Sequence, residues 1–207
     1  WDALGTPSSE HGGNGFHLVN GNLQTGDGTD LYYNVYATIA PKSGKFYIEK
    51  TYTSANSWAG LGITRRSLGV GGSYATISSY FSPYLLGGGD FANNTSSNAF
   101  AWGYTISNTD TISMAIDYDK RAVWFAINGV WIDGNGSQSS ATVLTQIIAG
   151  DTSSAAFTWA STIDDIVIYS RDRYCTAHTN FGQRAYTYTA PTGFKALCTQ
   201  NLPTPTI

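Results

Sequence analysis

A chain of 207 residues carrying a net charge of -3 and 12% charged side chains, against the usual ~25%, is long enough for one large core but poor in the charges that solvate helical surfaces. Its eleven Lys and Arg are scattered, with Arg65-Arg66 and Arg171-x-Arg173 the only close Arg pairs, so nucleic-acid binding is disfavoured for want of a basic stripe. No apolar run reaches membrane-spanning length, only Glu10 and Glu49 supply the Glu that long helices use, and 14% aromatics with 23 Gly favour strands and turns.

Residues 1–28 are rich in Gly, Ser and Asn and are predicted to be an extended lead-in, with a short strand over Phe16–Val19 before an Asn20-Gly21 turn. The sequence starts with Trp and lacks a charged-then-apolar leader, which gives the expectation of a part cut from a longer parent. Leu31–Ile39 reads as a strand. Phe46–Tyr52 alternates, and Trp58–Thr64 completes a hairpin with it, leaving Arg65 and Arg66 to a solvated loop. Gly69–Gly89 interleaves Tyr74, Tyr80, Phe81 and Tyr84 with Gly-Gly and Gly-Gly-Gly. It is not a phosphate loop, because no Lys-Ser/Thr follows. Phe100–Thr105 is a further strand.

Ser107–Asp133 is the most informative stretch, a β-meander with its punctuation intact. Thr111, Ser113 and Ala115 alternate with Ile112, Met114 and Ile116, the period of a strand with one buried face. Asp117-Tyr118-Asp119-Lys120 is a turn. Val123, Phe125 and Ile127 share one face of the next strand, and Asn128-Gly129 is the strongest short hairpin signal, since both central positions of a type I′ turn need positive φ. Val130-Trp131-Ile132 returns. Gly134–Ser140 is predicted to be an exposed loop, and Val143–Ala149, Ala155–Trp159, Ile163–Tyr169, Thr176–Phe181 and Ala185–Thr189 to be strands. Turn signals every ~8–12 residues with little helical spacing predict an all-β antiparallel sandwich over residues 29–199. Residues 200–207 are a stiff Pro/Thr-rich linker.

The meander resembles the SPRY domain. Ser43–Thr64, with its Trp58-Ala59-Gly60-Leu61-Gly62-Ile63, is similar to the family's early strand pair, and Asn180-Phe181-Gly182 to its closing strand. The three blocks come in the family's order and cover roughly 31–197. The run from Phe181 to Ile207, with Pro191-Thr192-Gly193-Phe194-Lys195-Ala196-Leu197, resembles SPRY domains of bacteriophage structural proteins. The resemblance implies a concanavalin-like jelly roll, no catalysis, and a place on the virion surface as a fibre or capsid decoration. The segment 67–101 departs from the pattern, being longer and richer in Gly and Ser.

The residues themselves offer little chemistry. Asp117-x-Asp119 has the spacing of a glycosidase pair but sits on a turn pointing to solvent, and Asp164-Asp165 face opposite sides of a strand. His11, His17 and His178 are too dispersed for a metal, and no cofactor motif occurs. Cys175 and Cys198 are either separate thiols or a disulfide stapling the last strand to the tail. Trp58 and Trp124 belong to the core.

The expected contact surface is Tyr74, Tyr80, Phe81, Tyr84, Trp102 and Trp131, aromatics on or beside Gly-rich loops that suit sugar rings or protein. For Tyr80–Tyr84 a core position is an equal alternative. The expected partners are virion proteins or a host-surface glycan or protein, with a homo-oligomer compatible with either. The second functional expectation is a secreted carbohydrate-binding module of a larger enzyme.

Overall fold

The computed structural model describes residues 17–21, 23–26, 33–55, 59–66, 84–86, 90–93, 96–101, 104–134, 139–172 and 174–202. In chain order they form β1 (His17–Val19), β2 (Gln24–Gly26), β3 (Tyr33–Tyr36), β4 (Lys45–Ser54), β5 (Gly60–Arg65), β6 (Tyr84–Leu86), β7 (Asp90–Asn93) and β8 (Ser96–Ala101). Then come β9 (Thr111–Asp117), β10 (Ala122–Ile127), β11 (Val130–Ile132), α1 (Ser140–Ala149), β12 (Phe157–Thr158), β13 (Ile166–Asp172), β14 (Thr176–Asn180) and β15 (Lys195–Ala196). One sheet runs β1-β2-β14-β4-β9-β10-β11, with β12 beside β10 and β15 beside β4; the other runs β3-β13-β5-β6-β7-β8. The β15–β4 pairing is parallel, while the ladders that build the two sheets are antiparallel. The expected antiparallel sandwich is therefore the observed one.

Alternation along β4 explains where the core sits. Phe46, Ile48 and Tyr52 point inward and meet Met114, Ile116 and Phe125 from their own sheet and Leu61, Ile63, Ile166 and Ile168 from the other. The opposite face of the same strands is also buried. Tyr47, Ala115, Trp124 and Trp131 lie under Val143 and Ile147 of α1 and under Phe194, with Tyr186 packed alongside. Every residue of β9 and β10 is buried. This corrects the expectation of one solvated face: the domain has a third, partial layer outside the sandwich. Polar Ser113 and Thr111 survive there because each is hydrogen-bonded, the Ser113 hydroxyl pairing with the Tyr47 phenol at 2.9 Å and Thr111 sharing a hydroxyl–hydroxyl bond with Thr51 at 2.8 Å.

The helix is itself a correction, since residues 143–149 read as a strand. Its β-branched Val143, Thr145 and Ile147 mimic strand composition, but Val143 and Ile147 lie four apart and form one buried stripe. The ends are closed by side chain and glycine. Ser139 caps the N-terminus by accepting from the Thr142 amide, and Gly150 (φ 72°) ends the helix in the left-handed region, its own and the following amide returning to Ile147 and Gln146.

The second correction concerns 185–189, which form no strand. Instead the chain turns at Asn180-Phe181-Gly182 and lies as a strap over the outer face. Asn180 makes the turn, its Oδ1 accepting from the Gly182 amide at 2.9 Å and its Nδ2 donating to the carbonyls of Arg184 and Ala185. Glu49, buried on the outer face of β4, then fixes the strap. Its carboxylate accepts from the amides of Thr187 and Tyr188 at 2.8 and 2.7 Å and from the Tyr47 phenol at 3.0 Å. Within the segment read as a lead-in, β1 and β2 form a hairpin that joins the first sheet through β14. Trp58 and the Pro203–Pro205 tail lie outside the described residues.

Burial has a consequence at high pH. The phenols of Tyr52 and Tyr118 sit in the interior and desolvation pushes both well above the ordinary value. Their contribution is fully present below the unfolded phenol pKa of about 10 and is lost as pH rises beyond it, because only the unfolded chain ionises there. Melting temperatures should fall steeply above roughly pH 10, and a Tyr52→Phe, Tyr118→Phe chain should fall less. Equal slopes for the two chains would contradict the assignment.

Candidate functional site

The meander register sets up an open cleft at one rim of the sandwich. Ile112, Ile127 and Val130 stand opposite one another across β9, β10 and β11, on the interior face. At this end the row runs out past the sandwich: Ile127 remains 4% exposed while Val130 is 59% exposed. Tyr104, 40% exposed, closes the other side, and Ile132 and Asn128 complete a cleft of ≈ 320 Å³. Its lining is almost wholly apolar, with neutral polar groups at one edge.

Those polar groups are held in place. Asp110 is buried and accepts from the Ser107 amide at 2.7 Å, from Asn128 Nδ2 at 2.7 Å and from the Tyr104 phenol at 3.3 Å. Asn128 Oδ1 accepts from the Thr111 amide at 2.9 Å. Asn128 thus supplies both the positive φ (50°) of the hairpin and the brace that positions Tyr104. Desolvation, then the neighbouring Asp110 carboxylate, pushes the Tyr104 phenol above its usual pKa, so it meets a partner as a neutral hydrogen-bonding ring. Gly129 (φ 79°) packs beneath Tyr188, where an added Cβ would come within 2.6 Å of the ring. The strap and the cleft therefore share one hairpin.

Of the aromatics expected to form a contact surface, Tyr74, Tyr80, Phe81 and Trp102 lie outside the described residues. Tyr84 opens β6, opposite Gly62 and Ala92. Trp131 is a correction: it is 6% exposed, packed beside Tyr47 beneath α1. The helix that covers it was read as a strand, so nothing in the alternation placed a lid there. Trp124 lies in the core as expected. Sequence reasoning missed Tyr104 and Val130. The signal was present for Val130, which shares a face with Ile132 and Ile127 but follows the turn, beyond the reach of the opposite sheet.

The acidic groups are arranged for structure. Asp117 is buried at the end of β9 rather than pointing to solvent, within 3.3 Å of Lys45 Nζ, while Asp119 accepts from the Gly44 amide. Neither Cys175 nor Cys198 is in a disulfide. Among the described residues no cluster of three His, Cys, Asp or Glu is placed to hold a metal, and no helix is long and apolar enough to cross a membrane.

No protein-family model matches the sequence, and no curated protein matches it. The structure is similar to the crystal structure of the SPRY domain of human HERC1, with a TM-score of 0.61 over 89% of this chain and 99% of that one, at 12% identity. The fold is SPRY-like. Both sheets, the Asn128-Gly129 hairpin and the Asn180 turn belong to this SPRY-like body, and the Tyr104–Val130 cleft opens beside its central hairpin.

Proposed function

We propose that the domain is a non-catalytic virion surface module, a fibre or capsid decoration, that attaches or assembles by binding protein or glycan. A SPRY-like fold is generally a protein-interaction module. The virion setting draws its support from the resemblance of the Phe181–Ile207 run and from the low charge. The observation that carries binding is the Tyr104–Val130 cleft, an exposed apolar surface edged by an ordered neutral hydrogen-bonding network. Apolar contact with neutral polar groups gives an association that weakens little with salt.

The test combines Tyr104→Ala with Val130→Ser in the purified domain. Attachment to virion proteins or to the host surface should weaken by at least ~10-fold, about 1.4 kcal/mol. The melt should stay close to that of the parent, since both side chains are substantially exposed. Unchanged attachment would show that the Tyr104–Val130 cleft is not the binding site. Release of sugar from a host polysaccharide by the domain would overturn the non-catalytic reading.

A further inference from the structure

The sandwich interior holds one feature that interaction does not use. Lys50, on β4, points inward between the sheets and is fully buried. Its Nζ lies 2.6 Å from Oδ1 and 2.7 Å from Oδ2 of Asp172, the last residue of β13 in the opposite sheet, itself 2% exposed. Nζ also donates to the Gly60 carbonyl at 3.1 Å and to Ser170 Oγ, and sits 4.7 Å from the centre of the Tyr52 ring. The two carboxylate oxygens differ. Oδ1 receives only Lys50 among these donors, whereas Oδ2 also receives the Ser170 hydroxyl at 2.7 Å and the Thr25 hydroxyl at 3.1 Å. Ser170 therefore links the amine directly to one chosen oxygen.

We propose that Lys50 and Asp172 are an autocatalytic cross-linking site, in which Nζ and Cγ join as an amide that covalently ties the two sheets. The ammonium passes one proton through the Ser170 hydroxyl to Oδ2, leaving a neutral amine and a neutral acid. The Nζ lone pair then forms the bond to Cγ. A second proton follows the same route, the Cγ–Oδ2 bond breaks, and Oδ2 departs as water carrying both protons. Nζ keeps one hydrogen and Oδ1 becomes the amide carbonyl. An ammonium and a carboxylate are consumed, an amide and one water are made, and no other reactant is needed.

Three physical factors favour the step. The reacting groups are held in contact, which removes the entropy cost of encounter; effective molarities of ~10⁵–10⁸ M are reached in such arrangements. Taking two ions out of water is unfavourable, and the amide replaces both charges with one neutral group. Burial also holds the Lys50 ammonium below its usual pKa, against the pull of Asp172, which eases release of the first proton.

The mass of the intact chain, denatured and reduced, tests the proposal. It should be short of the sequence mass by one water, and proteolysis should yield the β4 and β13 peptides as a single branched species. A Lys50→Met chain should keep the full mass and give the two peptides separately. Ser170→Ala should slow closure by roughly 10²-fold or more, the usual share of a positioned proton carrier. Full mass with separate peptides in the aged parent overturns the proposal, whether or not the variants fold. Closure of Ser170→Ala at the parent rate removes Ser170 from the proton path.

Discussion

Phe125→Ala and Trp124→Ala should each destabilise the domain by about 3–5 kcal/mol, as read from urea or thermal melts. The two residues are neighbours on β10 and point to opposite faces of the sheet. In a two-layer sandwich only one of them would be core. Here Phe125 fills the space between the sheets and Trp124 fills the space beneath α1 and the strap, and both are 0% exposed. Each truncation removes a large ring from a closed environment and leaves a cavity whose neighbours can only partly relax. A variant of either residue melting like the parent would show that its layer is not packed as described.

Glu49→Ala should cost about 3 kcal/mol and act on one segment. The carboxylate is 1% exposed and receives two backbone amides from the strap and the Tyr47 phenol. Its removal takes the acceptor from two part-buried backbone amides at once, while the Tyr47 phenol keeps only Ser113. Limited proteolysis should then cut between residues 181 and 194, while the interior strands stay protected. Glu49→Gln keeps one acceptor oxygen and should fall between parent and alanine. A Glu49→Ala chain as stable and as protease-resistant as the parent would show that the strap is held by apolar packing alone.

The sandwich was legible because its evidence is local. Alternation in Thr111–Ile116, the Asn128-Gly129 dipeptide and the polar turn at 117–120 each specify a backbone conformation without reference to distant residues. The third layer was not, because it depends on tertiary cover. Val143 and Ile147 read equally well as strand or helix by composition, and only the Ser139 cap and Gly150 end decide between them. The role of Glu49 is invisible in the sequence because its partners are backbone amides at 187 and 188, which no side-chain motif reveals. The same reason hid the true state of Trp131: aromatic exposure beside a loop is a statement about what covers the ring, and the cover came from α1. The cleft was half legible, with Val130 on the right face by register and Tyr104 identified only once Asn128 and Asp110 brought it into position.

The strap and the closing strands also set the order in which the domain can assemble. β14 sits between β2 and β4, and β15 lies against β4, so the middle of the first sheet is built from segments far apart in the chain. The β9–β10–β11 meander needs only near neighbours and is free to form first. During synthesis Trp124 and Trp131 gain their cover from α1 soon after the meander, whereas Tyr47 of β4 keeps an open side on that face until residues 186–194 leave the ribosome and dock. The nascent chain therefore passes through an interval in which an aromatic side chain and an unpaired edge of β4 are both available to other chains, and its yield in a cell depends on how quickly residues 176–196 arrive.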